Sequence, residues 1–341
     1  MIDDFFSSKL FPKFYIKTPT KEVFALGKSR QQGDFRVGLV PFYTPKNQIN
    51  SCFYTPASYS IQPSRDWEMP FFKIPPPMKY RHDESLYSFT QKVHQILDQI
   101  HAAKIQKAVL KRQTTWYFEN RLDYSCFFKT FCSRNRSVFP FYFQEDPTTA
   151  FFGGTPERLF HRQGFHVKTM ALAGTIKKGS RCDTSFLNDS KLWNEVNIVK
   201  DEIVACLEKR SRWVKASELR VHPLEHLSHL IADIEAELHE IDDVGLIHDL
   251  HPTPAIIGHP QQQALELVRF LERTERSLYA SVIGFQDQNA SDFMVGIRSG
   301  ILCEKLLLTF AGVGIVRASH PIEEWKELDL KTQPMKIWMP L

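Results

Sequence analysis

The chain has 341 residues, of which 43% are hydrophobic, and its 43 Lys and Arg residues nearly balance its 39 Asp and Glu residues. Such a balance, with basic residues scattered along the chain, argues against a nucleic-acid-binding protein, and no run of about 18 apolar residues is present to span a membrane. Six cysteines without a Cys-x-x-Cys pair argue against a zinc site or a disulfide framework and favour a cytoplasmic protein.

Residues 1–80 are rich in Pro, Phe and Tyr and have weak periodicity, with Gly38–Tyr43 as the clearest strand. The N-terminal sequence MIDDFFSSKL has neither the basic region nor the apolar stretch of a signal peptide. We therefore predict peripheral strands and loops over 1–80, which belong to the same unit as a functional core over 81–341.

A helix and then a strand are predicted next. Apolar residues recur at helical spacing over Ser88–Lys104, and the pattern of Ile105–Phe118 is β-like. Lys107 lies near the start of this strand, a place where a lysine usually extends its amine toward solvent. A second helix is predicted over Asp123–Asn135 and a strand over Ser137–Gln144.

The sequence Gly153-Gly154-Thr155-Pro156 predicts a tight turn, and Glu157 is the first acidic residue after it. Small residues over 171–175 either allow something to approach the backbone closely or simply form another strand. A long helix is predicted over 186–210, with Glu195 beside its apolar stripe. Both glutamates also have an ordinary explanation, Glu157 as a turn cap and Glu195 as a solvated helix residue.

Strands are predicted at 213–221 and 227–237, followed by a helix that ends at Leu250. His251 precedes a proline, which forces it out of the helical conformation, so that its ring either faces a pocket or caps the helix. Two more strands are predicted at 278–285 and 292–302.

The last predicted elements bring charged residues together. Arg298 is placed on a strand, residues 311–315 are predicted to form a glycine turn, and a helix is predicted to begin at Pro321. One face of this helix carries Glu324, Glu327 and Lys331. The ordinary explanation for this face is a solvated ion pair between residues four apart. The strands as a whole outnumber those of one doubly wound sheet, which favours an α/β protein with two sheets and outer helices.

Seven motifs in a fixed order carry a family resemblance: PERLF, ALAGT, LHPTPAIIG, LYASVIGF, GIRSG, AGVGIV and EEWKELDLK. Over about 104–331 the chain resembles the chorismate-utilising enzymes, which comprise isochorismate synthases, salicylate synthases and the large chains of anthranilate and aminodeoxychorismate synthases. The resemblance implies an α/β (α+β) fold like that of anthranilate synthase component I. Two large antiparallel-rich β-sheets would pack as a sandwich with helices on the outside.

The resemblance also assigns catalytic roles. Lys107 matches the general-base lysine of the branch that uses water as its nucleophile, and Glu157 matches the general acid. Lys107 would deprotonate the water that attacks ring C2, and Glu157 would protonate the C4 hydroxyl as it leaves, giving isochorismate. Ala173 stands where aminodeoxychorismate synthases have a nucleophilic lysine, which argues against a covalent intermediate.

A magnesium site and a substrate site follow from the same resemblance. Glu195 and Glu327 match the two Mg²⁺ ligands, and Glu324 would act through a metal-bound water. Arg298 and Tyr279 would hold the enolpyruvyl carboxylate, for which an arginine offers a bidentate fork. The full set of matched substrate-binding positions is Gly174, Thr175, His251, Tyr279, Arg298, Gly312, Gly314 and Lys331.

One departure from the family lies next to the first metal ligand, where Val196 replaces the usual histidine. The resemblance favours an isochorismate synthase and leaves open a salicylate synthase, which also eliminates pyruvate, or a catalytically silent relative. Anthranilate synthase is disfavoured by Lys107. The expected partner is chorismate alone, without nucleic acid or membrane, for a chain that is a monomer or a weak dimer.

Overall fold

The computed structural model describes residues 2–64, 69–177, 179, 185, 187–223 and 227–339. Within these ranges the strands form one ten-stranded and one nine-stranded sheet, in which every pairing is antiparallel. The predicted architecture of two large antiparallel sheets with outer helices is confirmed. No helix in the described part of the chain is long and apolar enough to cross a membrane.

The first sheet has the strand order β15-β7-β19-β18-β9-β8-β1-β2-β5, with β6 also paired to β7. Its strands are β1 (Lys13–Lys17), β2 (Lys21–Lys28), β5 (Pro56–Pro63), β6 (Lys79–His82), β7 (Lys107–Tyr117), β8 (Phe139–Asp146), β9 (Thr149–Thr155), β15 (Gly258–His259), β18 (Ser299–Cys303) and β19 (Leu306–Ile315).

The second sheet has the order β12-β14-β11-β10-β17-β16-β3-β4, with β13 also paired to β14. Its strands are β3 (Arg36–Val40), β4 (Phe53–Tyr54), β10 (Arg158–Gln163), β11 (His166–Lys177), β12 (Ser211–Ala216), β13 (Arg220–Pro223), β14 (Leu227–Leu238), β16 (Val282–Gln286) and β17 (Ala290–Val295).

The described helices cover the sheets. They are α1 (Ile2–Ser7), α2 (Lys46–Ile49), α3 (Leu86–His101), α4 (Tyr124–Arg134), α5 (Ser190–Glu208), α6 (Asp243–Leu250), α7 (Gln261–Leu271) and α8 (Pro321–Thr332). Helix α5 packs on β11 and β12, α8 packs on β19, and α7 packs on β7. Asp189 caps α5 by accepting hydrogen bonds from two backbone N–H groups of its first turn. Residue 186, the predicted start of this helix, lies outside the described residues.

Several predicted elements were wrong. Residues 311–315 do not turn but continue β19, and the predicted strand at 292–302 is broken between β17 and β18. The predicted strand at 213–221 is two strands, β12 and β13, and the one at 278–285 begins only at Val282. The predicted tight turn at 153–156 is also wrong, because residues 153–155 continue β9, and Arg298 lies between β17 and β18 and not on a strand. The glycines misled the first of these predictions because, in β19, they allow neighbouring side chains close to the backbone instead of reversing the chain.

The break between β17 and β18 has a clear physical reason. The chain passes from the first sheet to the second between β9 and β10, and it returns between β17 and β18. These two crossings are neighbours, because β9 pairs with β18 and β10 pairs with β17. Glu157 lies in the first crossing and Arg298 in the second. The fold thus brings an acid and a cation together at the seam between the sheets.

Candidate active site

A cavity opens at this seam. Its lining includes most of the residues singled out from the sequence: Glu157, Gly174, Thr175, Glu195, Tyr279, Arg298, Gly312 and Lys331. Five others lie outside the lining: Lys107, His251, Gly314, Glu324 and Glu327. The two sheets both contribute to the cavity, since β19 carries Gly312 and β11 carries Thr175.

Glu157 has the environment of a general acid. Its side chain is almost wholly buried, and burial raises its pKa to about 7. The increase is limited by a hydrogen bond of 3.3 Å from Thr253 Oγ1 and by the positive charges of Lys107, Lys331 and Arg298. A carboxyl group with a pKa near 7 is partly protonated at neutral pH and can donate that proton to a leaving group.

Lys107 lies beside the cavity lining, at the first position of β7. Its side chain is 1% exposed, and its Nζ is 3.1 Å from Oε1 of the lining residue Glu195. Gly314 makes room for this pair, because a Cβ at that position would lie 2.6 Å from Lys107 Cε and 2.5 Å from Glu195 Oε1. A buried amine is therefore held close to the cavity by a carboxylate.

Arg298 and Tyr279 form another wall. Arg298 has a φ of 49°, a left-handed conformation that is uncommon outside glycine, and burial lowers its pKa to about 10, which leaves it a cation at neutral pH. Burial raises the pKa of Tyr279 to about 12, so its hydroxyl keeps its proton. Tyr279 stacks on Phe310 with ring centroids 5.5 Å apart. This wall offers hydrogen-bond donors and positive charge to an anion.

His229 on β14 is a lining residue that the sequence reasoning missed. Its Nε2 is 3.2 Å from Arg298 Nη2, and its Nδ1 is 3.2 Å from Thr175 Oγ1. Since a guanidinium can only donate, Nε2 must accept and Nδ1 must carry the proton. Burial lowers the pKa of His229 well below its usual value, which keeps the ring neutral. A lone histidine in an apolar strand gave no sequence signal for this role.

Three carboxylates on α5 and α8 are each paired with a lysine. Besides the Lys107–Glu195 pair, Lys191 Nζ is 2.6 Å from Glu324 Oε1 and Lys331 Nζ is 2.6 Å from Glu327 Oε1. Glu327 lines a neighbouring cavity that shares Thr175 with the first. Within the described ranges, no group of three or more His, Cys, Asp or Glu side chains is close enough to hold a metal ion.

The pKa values of Glu195 and Glu324 shift in opposite directions. Burial would raise the pKa of Glu195, but the nearby ammonium groups of Lys107, Lys331 and Lys191 hold it below its usual value. Burial and the negative charge of Glu327 raise the pKa of Glu324. Glu195 is therefore an ionised oxygen donor at neutral pH.

His251 and Val196 lie away from the cavity lining. His251 follows α6 in the predicted extended conformation, and its ring packs edge-on against Phe42 at 5.7 Å. Burial lowers the pKa of His251 to about 3, so the ring is neutral. Val196 is fully buried in the hydrophobic core. Two residues after His251, Thr253 contacts Glu157, although the sequence reasoning did not single it out.

The model of the family described as chorismate binding enzyme matches residues 60–339. The chain belongs to this family. It is 34% identical over 246 residues to the isochorismate synthase MenF of Haemophilus influenzae, and this match covers 70% of this chain and 57% of that relative. It is 33% identical over 251 residues to MenF of Bacillus subtilis, and this match covers 70% of this chain and 52% of that relative. The chain therefore spans about half the length of these curated relatives.

Two solved structures share the fold. MenF from Escherichia coli superposes with a TM-score of 0.89 at 22% identity, covering 99% of this chain and 91% of that one. Anthranilate synthase component I from Streptococcus pneumoniae superposes with a TM-score of 0.75 at 18% identity, covering 96% and 93%. The likeness to anthranilate synthase component I that the sequence predicted for the fold is confirmed.

Proposed function

We propose that this chain is an isochorismate synthase, which converts chorismate into isochorismate. The observation that carries the proposal is Glu157, a buried carboxyl with a pKa of about 7 that lines one cavity with Arg298 and Lys331. A buried amine, Lys107, lies beside the same cavity. An acid, a base and two cations are the groups that this isomerisation needs.

Binding is the first task of these residues. Chorismate carries two carboxylates, and each requires positive charge or N–H donors in a buried site. Arg298 would hold the enolpyruvyl carboxylate with its planar fork, helped by the Tyr279 hydroxyl. The backbone at Gly174, Thr175 and Gly312, which lines the cavity, would lie against the ring, and Gly314 would serve the site by leaving room for the Lys107–Glu195 pair.

The chemical step then exchanges one hydroxyl for another. Lys107, which must enter this step as the neutral amine, takes a proton from water and becomes an ammonium as the water oxygen bonds to ring C2 and the ring double bonds shift. Glu157 gives its proton to the C4 hydroxyl, which departs as water. One water is consumed and one is released, so chorismate and isochorismate have the same composition.

The carboxylates beside the cavity fit a Mg²⁺ ion in their donor chemistry. They offer only oxygen, Glu195 is ionised, and Mg²⁺ usually keeps several waters, so two protein carboxylates are enough. Glu195 and Glu327 would hold the ion, with Glu324 acting through a bound water. When bound, the ion would stabilise negative charge on the ring carboxylate. Because the ion would take the place of the lysines beside these carboxylates, the Lys107–Glu195 and Lys331–Glu327 ion pairs would then be broken.

The decisive experiment incubates the purified chain with chorismate and Mg²⁺ and identifies the product by chromatography and mass. We expect isochorismate, and we expect Lys107→Ala and Glu157→Gln each to lower kcat by at least about 100-fold, in keeping with general acid–base contributions. Salicylate as the product would instead assign a salicylate synthase. Chorismate binding without turnover would assign a silent relative, and near wild-type rates in either variant would refute the mechanism.

The magnesium requirement has its own test. A chelator should abolish turnover and Mg²⁺ should restore it, while Glu327→Gln should weaken Mg²⁺ binding measured by calorimetry. Full activity in the chelator would refute the metal site. We also propose that the enzyme is cytoplasmic and that it acts as a monomer or weak dimer. Sedimentation at several protein concentrations would test the oligomeric state.

A further inference from the structure

Arg276 is a fully buried residue in the segment between α7 and β16. Its Nε and Nη2 donate to the two carboxylate oxygens of Glu272 at 3.0 and 2.8 Å. Its Nη1 donates to the carbonyl of Ile256 and its Nη2 to the carbonyl of Val109, both at 2.8 Å. Four hydrogen bonds thus join one guanidinium to three segments of the chain.

These contacts fill a gap at the edge of β7. Strand β15 pairs with β7 only at Lys107 and Ala108, and β6 pairs with it only from Thr114 onward. Between these points Arg276 supplies a donor to the Val109 carbonyl, and Glu272 Oε1 accepts from the Lys111 N–H at 2.9 Å. The two side chains therefore provide bonds that a neighbouring strand would otherwise make.

Two of the segments that the Arg276 guanidinium joins, at Val109 and Ile256, are walls of the cavity, and the third, which carries Glu272 and Arg276 itself, continues to the wall at Tyr279. Val109, Ile256 and Tyr279 all line it, and the Tyr279 N–H donates to the Arg276 carbonyl at 2.8 Å. Val109 follows Lys107 by two residues. Ile256 N–H donates to the carbonyl of Thr253, whose hydroxyl contacts Glu157. The same arginine is thus linked to the proposed base, acid and carboxylate-binding tyrosine, although it does not itself line the cavity.

We propose that Arg276 is a positioning residue that fixes these three walls relative to one another, and the proposal rests on the function proposed above. An isolated structural role would make Arg276 important for stability alone. A positioning role makes catalysis depend on the guanidinium fork, because small displacements of catalytic groups cost large factors in rate. Lysine keeps the charge of arginine but has a single nitrogen and cannot make all four contacts.

Arg162 provides a matched control. It is 1% exposed, makes a bidentate pair with Asp243 at 2.6 and 2.9 Å, and donates to the carbonyls of Gly164, Asp287 and Asn289. Neither Arg162 nor these partners line the cavity. Arg162→Lys and Arg276→Lys should therefore lower the melting temperature similarly, while only Arg276→Lys should affect the site.

The test measures kcat, KM and the pH profile of both variants at a temperature at which circular dichroism shows them folded. We expect Arg276→Lys to lower kcat at least tenfold and to shift the alkaline side of the pH profile, where Glu157 would lose its proton. We expect Arg162→Lys to stay within twofold of wild type. Equal losses in the two variants, or an unchanged kcat in Arg276→Lys, would overturn the proposal.

Two further measurements keep the proposal testable. If Arg276→Lys does not fold, Glu272→Gln is measured in its place. We expect Glu272→Gln to lower kcat at least threefold, and an unchanged kcat would contradict the proposal. If the wild-type chain does not convert chorismate, the proposed function fails. In that case the affinity of Arg276→Lys and Arg162→Lys for chorismate is measured by titration calorimetry. Binding at least tenfold weaker in Arg276→Lys than in Arg162→Lys supports the positioning role, and equal affinities overturn it.

Discussion

In the proposed reaction, the Glu157 carboxyl must hold a proton when the substrate hydroxyl leaves. Because burial raises its pKa to about 7, the protonated fraction falls about tenfold for each pH unit above 7. We expect kcat/KM to decline with this slope on the alkaline side, as measured in steady-state assays from pH 5 to 9. Thr253→Val removes a hydrogen bond that lowers the pKa of Glu157. The decline of kcat/KM on the alkaline side should therefore begin at a higher pH in this variant. An unchanged decline would show that another group controls it.

The His229 ring offers a second test at the scale of single residues. Its Nε2 accepts from Arg298, and its Nδ1–H faces Thr175. Glutamine can place an acceptor near the Nε2 position, whereas the shorter asparagine leaves a buried Arg298 N–H without a partner, which costs about 1–3 kcal/mol. We expect His229→Asn to weaken chorismate binding about tenfold or more and His229→Gln to weaken it less. The reverse order in calorimetric titrations would contradict the tautomer assigned here.

At the scale of elements, the glycines of β19 decide which side chains fit beside the strand. Alanine at position 314 would clash with Lys107 Cε and Glu195 Oε1, which are ends of flexible side chains that can move away. We therefore expect Gly314→Ala to cost about 1–3 kcal/mol of stability and to lower kcat by more than tenfold. Gly33→Ala, whose Cβ would meet only Thr55 at 3.2–3.9 Å, is the control in melting and rate measurements. Equal effects on kcat would contradict the proposed role of the Lys107–Glu195 pair.

Elements with strong local signals were predictable from the sequence. Helix α8 carries Pro321 in its first turn and places Glu324, Glu327 and Lys331 as the spacing implied. The position of Arg298 was not predictable. It lies where the chain leaves β17 and enters β18, and this crossing depends on which sheet each strand joins. For the same reason no local pattern showed that His229, on β14, would contact Arg298. Side chains that meet through long-range strand pairing leave little trace in short stretches of sequence.

On the scale of the whole molecule, the N-terminal strands complete both sheets. Strands β1, β2 and β5 extend the first sheet, while β3 and β4 extend the second. Phe14 and Val37 pack in one cluster with Phe141, Phe151 and Ile283 from the later part of the chain. The N-terminal strands thus share a hydrophobic cluster with later strands of both sheets, which bears on the prediction that residues 1–80 and 81–341 form one unit.

We expect a chain that lacks residues 1–64 not to fold cooperatively. The deletion would expose Phe141, Phe151 and Ile283, each at most 1% exposed in the full chain, at roughly 1.5–3 kcal/mol per side chain against a typical total stability of about 5–15 kcal/mol. Circular dichroism melts and gel filtration measure the result. Phe14→Ala tests the same packing in the full chain and should cost about 3–5 kcal/mol, whereas Phe270→Ala, at a residue 81% exposed, should change stability by less than about 0.5 kcal/mol. A cooperative melt and retained chorismate binding in the shortened chain would instead show that the core over 81–341 is an independent unit.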